Sequence, residues 1–123
     1  MDIKVLSLRD AGTSKERLLI RVLHDCNLKG YMVVDNTYDD NGRVSNVNRH
    51  VFIFPNCEVT AGNIVRLYTG RGRYRYFKAN YGRDIVTYHN FYWGFDEEAT
   101  VWNQNGDTPY LIHYDEVFPD TLV

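Results

Sequence analysis

The chain has 123 residues, of which 44% are hydrophobic and 24% charged. That is one domain with enough apolar mass for a packed core, and it argues against a largely disordered chain. A formal net charge of −2 excludes a polycation, so attraction to an anionic polymer has to come from a local patch. Ten Tyr, six Phe and two Trp favour the pleated, half-buried surfaces of β structure.

Residues 3–8 form the first β-type run, with Ile3, Val5 and Ser7 alternating against Lys4, Leu6 and Leu8. The segment Asp10-Ala11-Gly12-Thr13-Ser14 breaks it. Thr13 and Glu16 have capping-box spacing, which a hairpin turn explains equally well. In residues 17–24, Leu18, Ile20 and Val22 share one strand face, and Leu19, Arg21 and Leu23 the other. A helix also accepts this stretch; its shortness and β-like neighbours favour a strand. Residues 31–35 are the next run, and Asn41-Gly42 beyond them tolerates positive φ and marks a tight turn. Residues 51–54 follow, stopped by Pro55, which cannot donate to a ladder. Residues 64–68 are entered through Ala61-Gly62 and left through Gly70. After a looser region, residues 101–103 and 110–114 flank Asn105-Gly106-Asp107, a further hairpin signal, with Pro109 marking an edge or irregular entry. Short strands with turns at such intervals predict an all-β sandwich or barrel. Residues 1–123 read as a single domain without repeat or linker, with residues 117–123 expected to fray.

Cys26 and Cys57 are too few for a disulfide scaffold, and two free thiols are expected. The start Met1-Asp2-Ile3-Lys4 has no leader-type apolar run, and no stretch approaches a membrane span. Cytoplasmic localisation is the default expectation, with a secreted or surface origin left open for a processed chain.

Ordered motifs resemble the lamin tail domain family. Gly30-Tyr31-Met32-Val33-Val34-Asp35 is similar to the Gly-Trp-x-Leu-x-Asp segment of that family, with Tyr in place of Trp. Phe54-Pro55 followed by Val59-Thr60-Ala61-Gly62 resembles its Phe-Pro and Leu-x-Pro-Gly elements, and Val65-Arg66-Leu67-Tyr68-Thr69-Gly70 the strand after them. Val101-Trp102-Asn103-Gln104-Asn105-Gly106-Asp107 with Leu111 is similar to the Val-Trp-Asn-x-x-Gly-Asp signature. The resemblance implies an immunoglobulin-like β-sandwich and a non-catalytic interaction or tethering module that binds a protein partner. The residues have a fold-making account of their own. Trp102 supplies a large apolar body, Asn105-Gly106 permits a turn, Asp107 accepts turn amides, and Leu111 resumes packing. No sustained heptad pattern accompanies the domain. Residues 36–50 and 71–90 are longer than the family's usual connections, and extra loop length is where a sandwich carries individual function.

The chemistry-bearing residues are sparse. His24, His50, His89 and His113 lack paired spacing, and an EF-hand register around Gly42 meets Thr37 and Asn48 where carboxylates are needed. His24 and Cys26 find no second pair to complete a zinc set. No nucleophile or phosphate-loop motif is present, and Asp96-Glu97-Glu98 reads as a solvated acidic loop. The expectation is therefore no enzyme, no metal and no cofactor.

One stretch stands apart. Residues 66–83 carry Arg66, Arg71, Arg73, Arg75, Lys78 and Arg83 without an acid, interleaved with Tyr68, Tyr74, Tyr76, Phe77 and Tyr81. Arg grips phosphates and Tyr stacks on bases, which is the chemistry of a nucleic-acid or polyanion surface. A sheet edge guarded by cations against further pairing explains the same pattern and is slightly favoured. If the stretch is such a surface, its cations should converge on one face beside an open Tyr ring.

Overall fold

The computed structural model describes residues 1–36, 50–96, 100–102 and 108–116. All regular structure in them is β. In chain order the strands are β1 (Ile3–Arg9), β2 (Arg17–Val22), β3 (Cys26–Asn27), β4 (Tyr31–Asn36), β5 (Val51–Ile53), β6 (Glu58–Val59), β7 (Ile64–Tyr68), β8 (Arg75–Tyr81), β9 (Asp84–Tyr92) and β10 (Thr108–His113). They form a five-stranded sheet in the order β1-β2-β7-β9-β8, a three-stranded sheet β10-β4-β5 and a small β3-β6 pair. The fold is all-β, with sandwich-like packing of sheets. Among the described residues no helix is long and apolar enough to cross a membrane.

Alternation along each strand sends one set of side chains inward. From the large sheet these are Ile3, Leu18, Ile20, Val22, Val65, Leu67 and Phe91; from the small sheet, Tyr31 and Val33. Phe54, Leu28 and Trp102 complete the buried cluster, and Phe52 and Leu111 pack against it. Each large apolar side chain so buried stabilises the fold by about 1.5–3 kcal/mol. Phe52, Phe54 and Phe91 meet edge to face, with centroids 5.0 and 5.2 Å apart for the Phe52–Phe54 and Phe54–Phe91 pairs.

The sequence leaves most of the region after residue 68 as a looser segment and slightly favours a cation-guarded sheet edge in its basic stretch; the region's β8 is an edge strand. The region holds β8 and β9, joined at Gly82-Arg83 and paired with each other from Arg75↔Asn90 to Tyr81↔Asp84. β9 inserts between β7 and β8, parallel to β7 and antiparallel to β8. The connection from β7 to β8 must therefore cross the end of β9. It passes so close to Tyr92 that a Cβ on Gly72 would stand 2.4 Å from the ring, so only glycine fits there.

Residues 101–102 were expected in a strand paired with that of Leu111. They form a bend instead, and β10 pairs with β4, placing Leu111 opposite Val33. The physical reason is Glu16. Its carboxylate is fully buried, and its Oε1 accepts the backbone N–H groups of Val101 at 2.8 Å and Trp102 at 3.2 Å. Those amides are thereby taken from any ladder. Glu16 also accepts from the Thr69 hydroxyl at 2.7 Å and the Gly12 amide at 2.8 Å. This one side chain ties the β1–β2 turn, the end of β7 and the Trp102 segment together. Trp102 is buried as expected. Asn103, Gly106 and Asp107, with the Asn105-Gly106 turn, lie outside the described residues, as do Asn41-Gly42, Glu97-Glu98 and residues 117–123.

Candidate functional site

The five-stranded sheet has its core on one side only, so the strand residues between the core positions define an outer face. Cross-strand register arranges them in rows. One row runs Lys4, Arg21, Ile64, Tyr88, Phe77; the next Ser7, Leu19, Arg66, Asn90, Arg75; the third Arg9, Arg17, Tyr68, Tyr92. The face thus collects Lys4, Arg9, Arg17, Arg21, Arg66 and Arg75. Arg66 is its hub. Its guanidinium lies 4.5 Å from the Tyr88 centroid, 5.5 Å from Phe77 and 5.7 Å from Tyr68. Its Nε–H donates to Asn90 Oδ1 at 2.8 Å. Arg75 covers Phe77 at 5.1 Å, and Arg17 lies 5.8 Å from Tyr68. Guanidinium-over-ring contacts hold these side chains in place while leaving them charged. Arg17 pairs with Asp10 at 2.7 Å.

The basic stretch of residues 66–83 is divided by this architecture. Arg66 and Arg75 join the outer face. Tyr76 and Lys78 belong to the opposite face of β8, which is the edge strand of its sheet. Arg71 pairs with Asp96 at 2.5 Å in the open, Arg73 is exposed ahead of β8, and Arg83 occupies the β8–β9 turn. The cations of the stretch do not share one face. Tyr74 and Tyr76 remain 45% and 70% exposed, both stacked against His89. Lys4, Arg9, Arg17 and Arg21, which complete the outer face, were not singled out from sequence. The signal that could have found them is the alternation Arg17-Leu18-Leu19-Ile20-Arg21, with cations between core positions.

The three-stranded sheet has the opposite outer face. Register aligns Ile53, Met32 and Ile112 in one row and Val51, Val34 and Tyr110 in the next. Val51, Ile53, Tyr110 and Ile112 are exposed at 46%, 51%, 39% and 36%. Beside it, an open cleft of about 400 Å³ is lined by Lys29, Gly30, His113, Tyr114 and Asp115. Gly30, with φ +106°, precedes β4 here, and the Tyr31 ring stacks on His113 at 4.4 Å. Gly62 lies in the turn before β7, where its N–H donates to the Val22 carbonyl at 2.8 Å.

A thiol–imidazole cluster occupies the β8 end of the core. His89 Nε2 lies 2.9 Å from Asn63 Oδ1, an acceptor, so the ring proton sits on Nε2 and Nδ1 is the basic nitrogen. Nδ1 accepts the Tyr74 hydroxyl at 2.8 Å, while Cys57 Sγ stands 3.9 Å from Nδ1 and 3.6 Å from the Tyr74 oxygen. Cys, His and Asn in this order suit thiol activation. Here the phenol takes the position a thiol proton would use. Burial holds the His89 imidazole below its ordinary value, so the ring is neutral at pH 7 and no imidazolium stabilises a thiolate. Burial also pushes the Tyr74 phenol up, with its hydrogen bond to Cys57 the next cause. The cluster is a neutral hydrogen-bonded clasp between β8, β9 and the β6–β7 turn.

Cys26 and Cys57 are both free thiols. Burial raises the Cys26 thiol, followed by the carboxylates of Asp2, Glu58 and Asp25. Among the described residues, no three His, Cys, Asp or Glu side chains gather as a metal set. No family model, no curated protein and no solved structure matches this chain.

Proposed function

We propose that the domain is a non-catalytic interaction module, an immunoglobulin-like sandwich of the lamin-tail type, that docks a protein partner on the outer face of its three-stranded sheet. The observation that carries this reading is the exposure of Val51, Ile53, Tyr110 and Ile112 together on one face. The three strands place no charged residue on that face. A contiguous apolar surface of this kind is disfavoured in water and is typical of protein contact sites. The partner it suits presents an apolar, uncharged surface. The ordered resemblance to lamin tail domains supports a tethering role, and the Tyr74 hydroxyl, which occupies His89 Nδ1 at 2.8 Å where the Cys57 thiol stands at 3.9 Å, supports the absence of catalysis.

The test is site-specific photocrosslinking in the cell of origin, with the crosslinker at Ile53 or Tyr110 and, as a control, at Lys78 on the other sheet. The expected result is a discrete adduct from Ile53 and Tyr110, none from Lys78, and loss of the adduct when Val51→Asp or Ile112→Asp is added. The same adducts from all three positions, or adducts that survive the aspartates, would overturn the reading.

A further inference from the structure

We infer that the outer face of the five-stranded sheet is a separate binding surface for single-stranded nucleic acid. It is independent of the protein-docking face, which lies on the other sheet.

Charge is the first ground. A chain of net charge −2 places Lys4, Arg9, Arg17, Arg21, Arg66 and Arg75 on one sheet face. In register, Lys4 stands opposite Arg21 and Arg9 opposite Arg17, pairings of like charge that destabilise an isolated sheet. Among the described residues of these strands and their turns, Asp10 pairs with Arg17 and Asp84 stands at the end of β9. With strands about 4.8 Å apart, five of them span roughly 19 Å, which fits several nucleotides.

Preorganisation is the second ground. Arg66 Nε–H donates to Asn90 Oδ1 at 2.8 Å and its guanidinium lies 4.5 Å from the Tyr88 centroid, so the group is held on this face before any ligand arrives. A ligand backbone rich in acceptors and lacking donors complements a face of such cations, and a phosphodiester chain is one.

The rings decide between nucleic acid and a merely sulfated polymer. Tyr68, Phe77 and Tyr88 are each approached by a guanidinium. A guanidinium seated on a ring uses one of its planes and offers the other to a base, as Arg does in single-strand recognition. Five of the six cations are Arg, whose planar fork also takes two phosphate oxygens at once. Lys supplies neither contact, so the Arg preference itself favours stacked bases with bridging phosphates.

The experiment is fluorescence anisotropy of the whole chain with a labelled oligothymidylate, in competition with unlabelled duplex DNA and with heparin. Binding at low salt should weaken linearly on a log–log salt plot. Arg75→Ala should weaken binding roughly tenfold and lower the salt slope by about 1. Arg66→Lys keeps the charge and loses the planar fork; it should weaken binding while leaving most of the slope. Arg71→Ala and Lys78→Ala, off this face, should bind as the parent does. Because Arg66 also packs the sheet, Lys4→Ala with Arg9→Ala, both exposed, provides a variant whose folding is not in question and should also weaken binding. Ile53→Asp should leave nucleic-acid binding intact, which separates this surface from the protein-docking face. No binding at low salt overturns the inference. So does heparin competing better than the single strand while Arg66→Lys has no effect, since that pattern marks a charge-only surface. Equal losses from Arg71→Ala and Arg75→Ala would also overturn it.

Discussion

On the outer face of the three-stranded sheet, Val51, Ile53, Tyr110 and Ile112 stand in the open with no charged residue among them. On the outer face of the five-stranded sheet, the rings of Phe77 and Tyr88 lie under guanidinium groups. Both faces arise from the same alternation of side chains along strands. They differ in what remains unsatisfied. The small sheet leaves apolar area in water, which another apolar surface relieves. The large sheet has already covered its rings with Arg stems and is left with charge and donor groups, which an anion relieves. The chemistry each face lacks is what points to its partner.

The largest expected effect comes from the scaffold that both faces share. Glu16→Ala strips the acceptor from Gly12, Thr69, Val101 and Trp102 inside the core. A loss of about 3 kcal/mol or more is expected in urea denaturation, because buried donors are left unpaired. Both proposed binding activities should fall together. A variant as stable as the parent would show that the Trp102 segment does not depend on this carboxylate.

Substitutions on the faces themselves should be unequal. Arg66→Ala removes three ring contacts and the bond to Asn90, and a loss of about 1–2 kcal/mol is expected. Ile53→Ser, at an exposed position, should stay within about 0.5 kcal/mol. Equal destabilisation from the two would break the contrast between a face packed on itself and an apolar face open to water.

His89 gives a pH-dependent test at the edge of the large sheet. Burial depresses its folded value below the ordinary 6.5, so in the window beneath 6.5 the unfolded chain binds the proton that the folded chain resists. Stability is full above that value and is lost as pH falls through the window. His89→Gln should flatten this part of the stability–pH curve relative to the parent, measured by denaturant titration at several pH values. A curve of unchanged slope would show that the clasp does not stay neutral in the folded state. The smallest effect is expected for Arg71→Ala, whose pair with Asp96 is exposed on both sides. Its unfolding midpoint should match the parent's, because such surface pairs contribute little.

Alternation was legible wherever strands were short and bounded by turn residues. β1, β2, β4, β5, β7 and most of β10 follow from it, as does the shared face of Leu18, Ile20 and Val22, while burial of Trp102 follows from its apolar bulk. β8 and β9 were harder to read. Arg73-Tyr74-Arg75-Tyr76 alternates and suits a guarded sheet edge, but Phe77 breaks the period, because aromatic side chains occupy both faces of β8. In β9, His89 and Asn90 sit at buried positions, where hydropathy gives no hint of burial. The Gly82-Arg83 turn was the available signal, a two-residue connection with glycine at its first position. The basic stretch was visible as composition, but its consecutive cations went to different faces.

The sequence by itself determined the all-β class and the apolar faces of the short strands, because side-chain period and turn chemistry are local properties of neighbouring residues. It also determined that cationic and aromatic residues would be available in quantity. Only the tertiary structure decided which of them meet. Arg17 and Arg21 lie some fifty residues from Arg66 in the chain and become its neighbours through the β2–β7 pairing. Asn90 reaches Arg66 because β9 inserts beside β7 in parallel, and Glu16 reaches Val101 and Trp102 across the whole domain. Such meetings depend on strand order and register, which are set by how the sheets bury their shared core and not by any local pattern.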